Sequence, residues 1–309
     1  MTPAPEAILV LPKPPSLAPL LARGALRSPF KHPHPDAAFP RTRLLLPRTR
    51  VDLARLAAYE RVCGFPTGDD ALPITFPHVL GFPSAMLLMS DRDFPLPLLG
   101  LVHTSIEITQ HRPLPPGGDY ELLVYVEKLA PHRRGTEATV VTRARTDDTV
   151  VWESRSTYLA RHTTGDRPAA PDDRPATRAH DTSQEAPKPL PVLAEWHLAG
   201  DVGRRYGAAS GDRNPIHLHP LTARLFGFPR AIAHGMWTVA RCLAEHGTPG
   251  AAFVRAEFRT PVLLPGKVTY AAEGGRFELR GHDDRVHVTG KVTGDVAGEL
   301  TGEVRPPLT

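Results

Sequence analysis

The stretch from Ser210 to His217 places an aspartate and a histidine five residues apart among turn-forming residues. Its sequence is Ser210-Gly211-Asp212-Arg213-Asn214-Pro215-Ile216-His217. Glycine and proline favour a tight, non-helical path, which would aim Asp212 and His217 from a rigid turn. A carboxylate and an imidazole on one turn can bind the same water and move a proton between that water and a carbon acid. We therefore predict Asp212 and His217 as catalytic residues, with Asn214 holding the turn through its side chain.

Two other interpretations of this stretch stay open from the residues alone. Turns rich in Gly, Asp, Asn and Pro are common, so a plain hydrophilic turn is one alternative. A metal site formed by Asp212, His217 and His219 is the other. Because no third firm ligand is visible in the sequence, we expect neither a metal nor a cofactor.

The elements that would position this stretch belong to the second of two halves. Residues 163–192 contain six prolines and no aromatic residue, a composition typical of a linker. We predict one domain over 46–162 and a second, catalytic domain over 193–309. Residues 1–45 form a proline-rich, basic N-terminal extension, which we expect to be a solvated arm.

An internal repeat supports this division. Asp52 and Asp201 each precede a helical pattern, and the glycines that would end these helices, Gly64 and Gly211, are 147 positions apart. Further matches pair 81–85 with 227–231, 103–108 with 254–258, and 112–117 with 260–266. Matches in the same order at nearly constant offset indicate a duplicated domain.

Each half has the pattern of a helix followed by antiparallel strands. In the second half, Met236, Val239, Ala240 and Leu243 have helical spacing, and alternating apolar positions follow around 254–258, 268–272, 277–279 and 286–288. In the first half we expect a short helix around Met86 and Leu87, then strands around 103–110, 120–128 and 137–145. The predicted fold class is α+β, with a central helix wrapped by a curved sheet in each half.

The residues from Tyr206 to His217 resemble the hydratase-2 motif of MaoC-type enzymes. Two later runs, Phe226-Gly227-Phe228-Pro229 and Ala233-His234-Gly235-Met236, are similar to the continuation of that motif. The resemblance implies a double hotdog fold, of the type found in actinobacterial lipid metabolism. It also implies reversible syn hydration of trans-2-enoyl thioesters to (3R)-3-hydroxyacyl thioesters. The substrates would be thioesters of coenzyme A or of an acyl-carrier protein.

The resemblance also implies roles for single residues. Asp212 and His217 would bind the reacting water, and the backbone N–H of Gly235 would receive the thioester carbonyl. A helix N-terminus suits that task, because its N–H groups and dipole stabilise negative charge on an oxygen. We therefore predict Gly235 and Asn214 as substrate-binding residues. The first half has Asp69 and Asp70 but lacks the spacing to a histidine, so one active site is expected rather than two.

Composition excludes several classes of protein. The chain of 309 residues has a net charge of +4, and its excess of basic residues lies in the N-terminal extension, so we expect no nucleic-acid partner. No apolar run is long enough for a membrane span, and we expect no signal peptide. Two cysteines far apart in sequence favour a reducing cytoplasm. The molecule would be a monomeric pseudo-dimer or a homodimer.

Several alternatives remain at this point. A non-catalytic acyl-thioester-binding protein would share the fold, and a hotdog thioesterase would need a carboxylate on the central helix, for which Glu245 is the candidate. The basic run from His132 to Arg134 could contact a phosphate of the carrier or form a solvated hairpin tip. The residues from Met86 to Met89 could line an acyl tunnel or pack in the core.

Overall fold

The computed structural model describes residues 7–163 and 189–294. Most of the predicted linker lies outside the described residues. The first half comprises β1 (Ile8–Val10), α1 (Leu17–Arg27), β2 (Arg43–Arg50), α2 (Leu53–Cys63), α3 (Phe76–Met89), β3 (Val102–Gln110), β4 (Asp119–His132), β5 (Gly135–Thr146) and β6 (Thr149–Arg161). The second half comprises β7 (Val192–Leu198), α4 (Val202–Ser210), α5 (Pro215–Leu218), α6 (Pro220–Leu225), α7 (Gly235–His246), β8 (Ala252–Phe258), β9 (Gly266–Glu273), β10 (Arg276–Gly281) and β11 (Val286–Thr293).

All strands form one sheet with the order β1-β2-β4-β5-β6-β3-β8-β11-β10-β9-β7. The two halves contribute five strands each in mirrored order, β2-β4-β5-β6-β3 and β8-β11-β10-β9-β7, and β1 is added at one edge. The halves join where β3 and β8 pair antiparallel, with Ser105 opposite Glu257 and Gln110 opposite Ala252. The central helices are α3 and α7. The predicted α+β double hotdog is confirmed.

The helices that precede the central helices end as predicted, but only the first has the expected side-chain cap, since Asp201 at the start of α4 makes no capping hydrogen bond with its side chain. The carboxylate of Asp52 accepts hydrogen bonds from the backbone N–H groups of Ala54 and Arg55, and α2 ends at Gly64, which has a φ of +83°. Helix α4 ends at Gly211 with a φ of +86°. Glycine adopts this left-handed conformation without the strain that a side chain would add. Both glycines therefore end their helices as predicted.

The central helix of the first half is longer than expected. Helix α3 has 14 residues, 12 of them buried, and carries Pro83 in its interior. Glycine and proline near its start disguised the helical pattern, since both disfavour helix interiors. Gly81 therefore lies inside a helix, whereas its repeat partner Gly227 lies in the turn after α6 with a φ of +83°. That pair of the predicted repeat does not occupy equivalent positions.

Strand β6 has no counterpart among the predicted strands. Its inward positions include Trp152, Ser154, Ser156 and Tyr158, all buried. The two serines interrupt the alternation of apolar and polar residues that marks a half-buried strand. The strand is nevertheless central to the first half, because it pairs with both β5 and β3.

The N-terminal residues are not a solvated arm where the structure describes them. Strand β1 pairs in parallel with β2, and Leu20 of α1 is buried in a core cluster with residues of α3. A side chain at Gly24 would overlap Leu98, so α1 packs closely on the first half. The expectation of a solvated arm considered charge alone, whereas α1 has an apolar face.

The core accounts for the cysteines and for the contact between the halves. Cys63 and Cys242 are free and buried, and burial raises the pKa of both thiols. The rings of Tyr59 and Tyr206, from α2 and α4, have centroids 5.8 Å apart. The indole N–H of Trp237 donates to the carbonyl of Val62 at 2.8 Å.

Among the described residues, no helix combines the length and apolar character that a bilayer crossing needs.

Candidate active site

The predicted turn begins where α4 ends. After Gly211 the chain leaves the helix, and the carboxylate of Asp212 accepts a hydrogen bond from the backbone N–H of Asn214 at 3.1 Å. The side chain of Asn214 in turn accepts from the N–H of Ile216 and caps the short helix α5. These local hydrogen bonds hold Asp212 on a rigid turn. Asn214 lines the cavity next to it, but its side-chain oxygen serves the turn.

His217 lies on α5 with its tautomer set by a backbone contact. Its Nδ1 lies 2.9 Å from the carbonyl oxygen of Ile232. Because a carbonyl only accepts hydrogen bonds, Nδ1 carries the proton in this contact, and Nε2 keeps its lone pair. The side chain is buried, and burial lowers its pKa. A neutral imidazole with Nε2 as acceptor is a competent general base.

His234, which the sequence placed in the motif run before Gly235 but not among the predicted catalytic residues, completes the cluster. Its ring stacks on that of His217 with centroids 3.7 Å apart, and its Nε2 donates to the backbone carbonyl of Asp212 at 2.9 Å. Burial lowers its pKa well below the usual value. His234 therefore fixes the backbone of Asp212 and the plane of His217.

Two glycines of α4 allow the turn to pack against that helix. A side chain at Gly203 would overlap the carbonyl oxygen of His217, and one at Gly207 would lie 2.8 Å from the carbonyl oxygen of Asp212. The two glycines are four positions apart in the helix, so both face the same side of α4. Their spacing is a signal that could have identified this contact from the sequence.

Gly235 begins α7 and lines the same cavity. The first N–H groups of a helix have no partner within the helix, and the preceding residue, His234, makes no capping hydrogen bond with its side chain. A Cβ atom at Gly235 would lie 2.9 Å from the ring of Phe258. The absence of a side chain therefore keeps this helix start close to Phe258 and open to a ligand oxygen.

Arg55 of the first half anchors the end of α4, directly before the turn of Asp212. Its guanidinium donates to the carbonyl oxygens of Ala209 at 2.7 Å and Ser210 at 2.6 Å. These carbonyls belong to the last turn of α4 and accept no hydrogen bond from a backbone N–H of the helix. Nothing in the sequence marks this contact, because 154 residues separate Arg55 from Ala209.

We expect Arg55→Ala to lower kcat by about tenfold to a hundredfold, because a displacement of about 1 Å at a catalytic group has effects of that size. Steady-state kinetics measures it, and Arg55→Lys should recover part of the loss because it restores one donor. The exposed Arg61 on the same helix provides the control, Arg61→Ala, which should keep wild-type kcat. A loss of thermal stability in Arg55→Ala with unchanged kcat would show that the contact is only structural.

The electrostatics of the pair favour its uncharged form. Burial raises the pKa of Asp212, opposed by His217 and by the hydrogen bond from Asn214. Burial lowers the pKa of His217, opposed by Asp212. Both shifts disfavour the charged forms, and they act on each other, so the two groups titrate as a pair. The site therefore offers one proton donor and one proton acceptor side by side.

The cavity that holds these groups has a volume of about 810 Å³ and is lined by both halves. The first half contributes the apolar side chains of Val79, Phe82, Met86 and Met89 from α3. Met86 and Met89 are also buried in a core cluster, so the two interpretations of this stretch both apply. The first half, which lacks the Asp212–His217 motif, thus forms a large part of the wall around the turn of Asp212.

Two further histidines from the first half line this cavity. The rings of His78 and His103 have centroids 6.2 Å apart, and that of His103 lies 4.5 Å from Tyr158 and 4.8 Å from Phe258. Burial lowers the pKa of His78 to about 4 and that of His103 to about 3. Both rings are therefore neutral near neutral pH.

Because both rings are buried and neutral, we expect the folded state to lose stability as the pH falls. Between pH 6.5 and the folded-state pKa values, unfolded chains bind protons at His78 and His103 and folded chains do not, so acid favours unfolding. From pH 7 to 5, we expect the free energy of unfolding to fall by up to about 2 kcal/mol for each ring. Denaturant titrations measure it. His103→Phe should reduce the slope and His282→Phe, at an exposed position, should not; an equal slope in His103→Phe would contradict the assignment.

A shared metal ion is not favoured by the ring geometry. Ligand atoms of Asp212, His217 and His234 lie within 4.8 Å of one another. A metal bound to an imidazole lies near the ring plane at about 2.1 Å from the nitrogen. The planes of His217 and His234 are inclined by only 28°, so they meet too far from both nitrogens for one ion. His219, which the metal alternative included, is not part of this group, and its Nδ1 accepts from the N–H of Leu221 as the cap of α6.

Two sets of sequence candidates lie outside the cavity. Asp69 and Asp70 are exposed on the loop after α2. Glu245, the carboxylate that a thioesterase would need, is exposed near the end of α7 and forms an ion pair with Arg241 at 3.1 Å. The cavity wall therefore offers Asp212 rather than a carboxylate of the central helix.

Comparison of the sequence with known proteins identifies a matching family and two related dehydratases. The family described as "MaoC like domain" matches residues 175–296. The chain is 38% identical over 227 residues to 3-hydroxyacyl-thioester dehydratase X of Mycobacterium tuberculosis, covering 72% of this chain and 78% of that protein. It is 33% identical over 202 residues to 3-hydroxyacyl-thioester dehydratase Y of the same organism, covering 58% and 65%.

Solved structures agree with the fold. The crystal structure of HtdX from M. tuberculosis superposes with a TM-score of 0.69 at 33% identity, over 82% of this chain and 100% of that chain. A MaoC-like dehydratase from Phytophthora capsici has a TM-score of 0.63 at 19% identity, over 82% of this chain and 94% of that chain. The second likeness supports the fold alone.

Proposed function

Because this chain belongs to the MaoC-like dehydratase family, we propose that it is a hydro-lyase that interconverts trans-2-enoyl and (3R)-3-hydroxyacyl thioesters at Asp212 and His217. The observation that carries the proposal is the placement of these two groups within 4.8 Å of each other, on the wall of a cavity that also contains the start of α7. One water can bridge polar atoms at that separation.

In the hydration direction, His217 accepts a proton from this water through Nε2. The oxygen of the water attacks C3 of the enoyl thioester, and the electrons move to the thioester oxygen. That oxygen receives a hydrogen bond from the backbone N–H of Gly235. Asp212, whose raised pKa favours the protonated form, then gives its proton to C2. The reverse sequence dehydrates the hydroxyacyl thioester.

Asn214 acts in this scheme through the turn, because its side chain caps α5 and its N–H binds the carboxylate of Asp212. The first half supplies the opposite wall of the cavity and the anchor at Arg55. A cytoplasmic location, the choice between coenzyme A and a carrier protein, and the choice between monomer and homodimer stay predictions.

A series of trans-2-enoyl-CoA substrates of increasing chain length tests the proposal. Loss of the absorbance of the conjugated double bond should report hydration, and chiral analysis should identify the (3R) product. Binding without hydration at every chain length would instead support a non-catalytic thioester-binding protein. Release of free thiol, measured with a thiol reagent, would support a thioesterase.

A further inference from the structure

The charged part of the cavity wall is strongly basic outside the catalytic centre. Five arginines and two glutamates line it there: Arg133, Arg134, Arg161, Arg255, Arg259, Glu137 and Glu257. The whole chain, by contrast, has 37 basic residues against 33 acidic ones. Such a local excess at the opening of a pocket attracts anionic ligands.

The excess lies on the side of the first half. Across the opening, Arg255 forms ion pairs with Glu107 at 3.5 Å and Glu257 at 3.7 Å, and Arg259 also pairs with Glu257. Arg134 and Arg161 are exposed, and within 7–163 and 189–294 no carboxylate lies within ion-pair distance of either guanidinium. Both groups are therefore available to a ligand.

The backbones of these two arginines lie close together at one end of the sheet. Arg134 is in the turn between β4 and β5, and Gly135, the first residue of β5, pairs with Arg161 at the end of β6. The N–H of His162 donates to the carbonyl of Arg134 at 3.2 Å, which ties the two segments together. The hairpin tip is thus exposed and also lines the cavity.

Residues that line the cavity connect these two arginines to Gly235. Tyr158 is three residues before Arg161, a span of about 10 Å along a strand. Its ring stacks on His103, which touches Phe258, the ring that packs on Gly235. A substrate held by its thioester at Gly235 can therefore extend along this wall towards the two arginines.

We propose that Arg134 and Arg161 bind the phosphate end of the pantetheine arm that carries the acyl group. This inference rests on the proposed function, because it places a thioester at Gly235. Guanidinium groups bind phosphate oxygens through paired, charge-assisted hydrogen bonds. Coenzyme A and acyl-carrier proteins share a phosphate next to pantetheine, so both carriers offer the required chemistry. The first half would then bind the carrier of the acyl group, while the second half performs the reaction.

The test compares thioesters with and without a phosphate. For the double variant Arg134→Ser with Arg161→Ser, we expect KM for an enoyl-CoA to rise about tenfold or more with kcat unchanged. The enoyl thioester of N-acetylcysteamine, which has no phosphate, should keep its kcat/KM. The wild-type KM for enoyl-CoA should rise with salt more steeply than that of the double variant. Arg276→Ser, at an exposed arginine away from the cavity, is the matched control.

The outcomes separate this inference from the proposed function. A KM increase shared by enoyl-CoA and enoyl-phosphopantetheine supports the inference, whereas an increase for enoyl-CoA alone overturns it in favour of a site for the nucleotide phosphates. An unchanged KM for both, or an increase limited to an enoyl-carrier protein, overturns the inference. No turnover of any thioester by the wild-type chain would overturn the proposed function itself.

Discussion

Replacing Asp212 by Asn or His217 by Asn should each reduce kcat for enoyl-thioester hydration by about a thousandfold, a size typical of lost general acid or base catalysis. The first change removes the proton that C2 receives, and the second removes the Nε2 acceptor for the water proton. Because the two groups act on one water, the double variant should be little worse than either single variant. Absorbance of the conjugated double bond follows each reaction.

Two controls keep this result specific. His219→Asn changes an exposed histidine on the same loop whose side chain caps α6, and it should retain most of the activity. Thermal unfolding should show that both variants remain folded; Asp212→Asn preserves the side-chain volume, whereas His217→Asn removes part of a buried ring and should lower the melting temperature without unfolding the protein. Turnover like that of the wild type in both variants would remove the catalytic assignment.

Gly203→Ala should lower kcat by about a hundredfold although residue 203 touches no substrate in the proposed scheme. The new methyl group would overlap the carbonyl oxygen of His217, so α5 must move away from α4. A shift of about 1 Å at a catalytic base accounts for an effect of that size. Steady-state kinetics measures the loss of kcat, and amide chemical shifts should report movement of α5.

Helix propensity makes this prediction sharp. Alanine stabilises a helix by about 1 kcal/mol relative to glycine, so a Gly203→Ala variant without a clash should be more stable than the wild type. We expect it to be less stable, by about 1–3 kcal/mol, as in other overpacked sites. Ala208→Ser, on the exposed face of α4, is the control for a small change in the same helix. A stabilised and fully active Gly203→Ala variant would contradict the packing described for the site.

The sequence predicted the parts of the molecule that depend on local chemistry. Asp52, Gly64 and Gly211 mark helix ends through a side-chain cap and the left-handed backbone, both of which involve neighbouring residues. The turn around Asp212 could be predicted for the same reason, because Asn214 and Pro215 shape it locally. The positions of Asp212 and His217 on that turn followed.

The missing parts depend on contacts between residues that are distant in sequence. Arg55 reaches the end of α4 from the other half, and His234 reaches the backbone of Asp212 across 22 residues. Strand β6 was missed because buried Ser154 and Ser156 hide its apolar face, and α3 was judged too short because of Pro83. In each case tertiary packing overrides the local pattern.

These distant contacts show what the first half, which lacks the proposed catalytic residues, contributes to the site. It holds the end of α4, directly before the turn of Asp212, through Arg55 and forms cavity wall with α3. We therefore expect the second half alone to lack activity even where it folds, because the cavity loses one of its walls.

The stereochemical course of hydration in D₂O shows whether Asp212 and His217 act together on one water. Asp212 and His217 lie within 4.8 Å of each other and so act on the same face of the double bond. We expect a (3R)-3-hydroxyacyl thioester in which deuterium at C2 and oxygen at C3 were added syn, as determined by NMR of the product. Anti addition, or a (3S) product, would show that the two groups do not share one water on one face of the substrate.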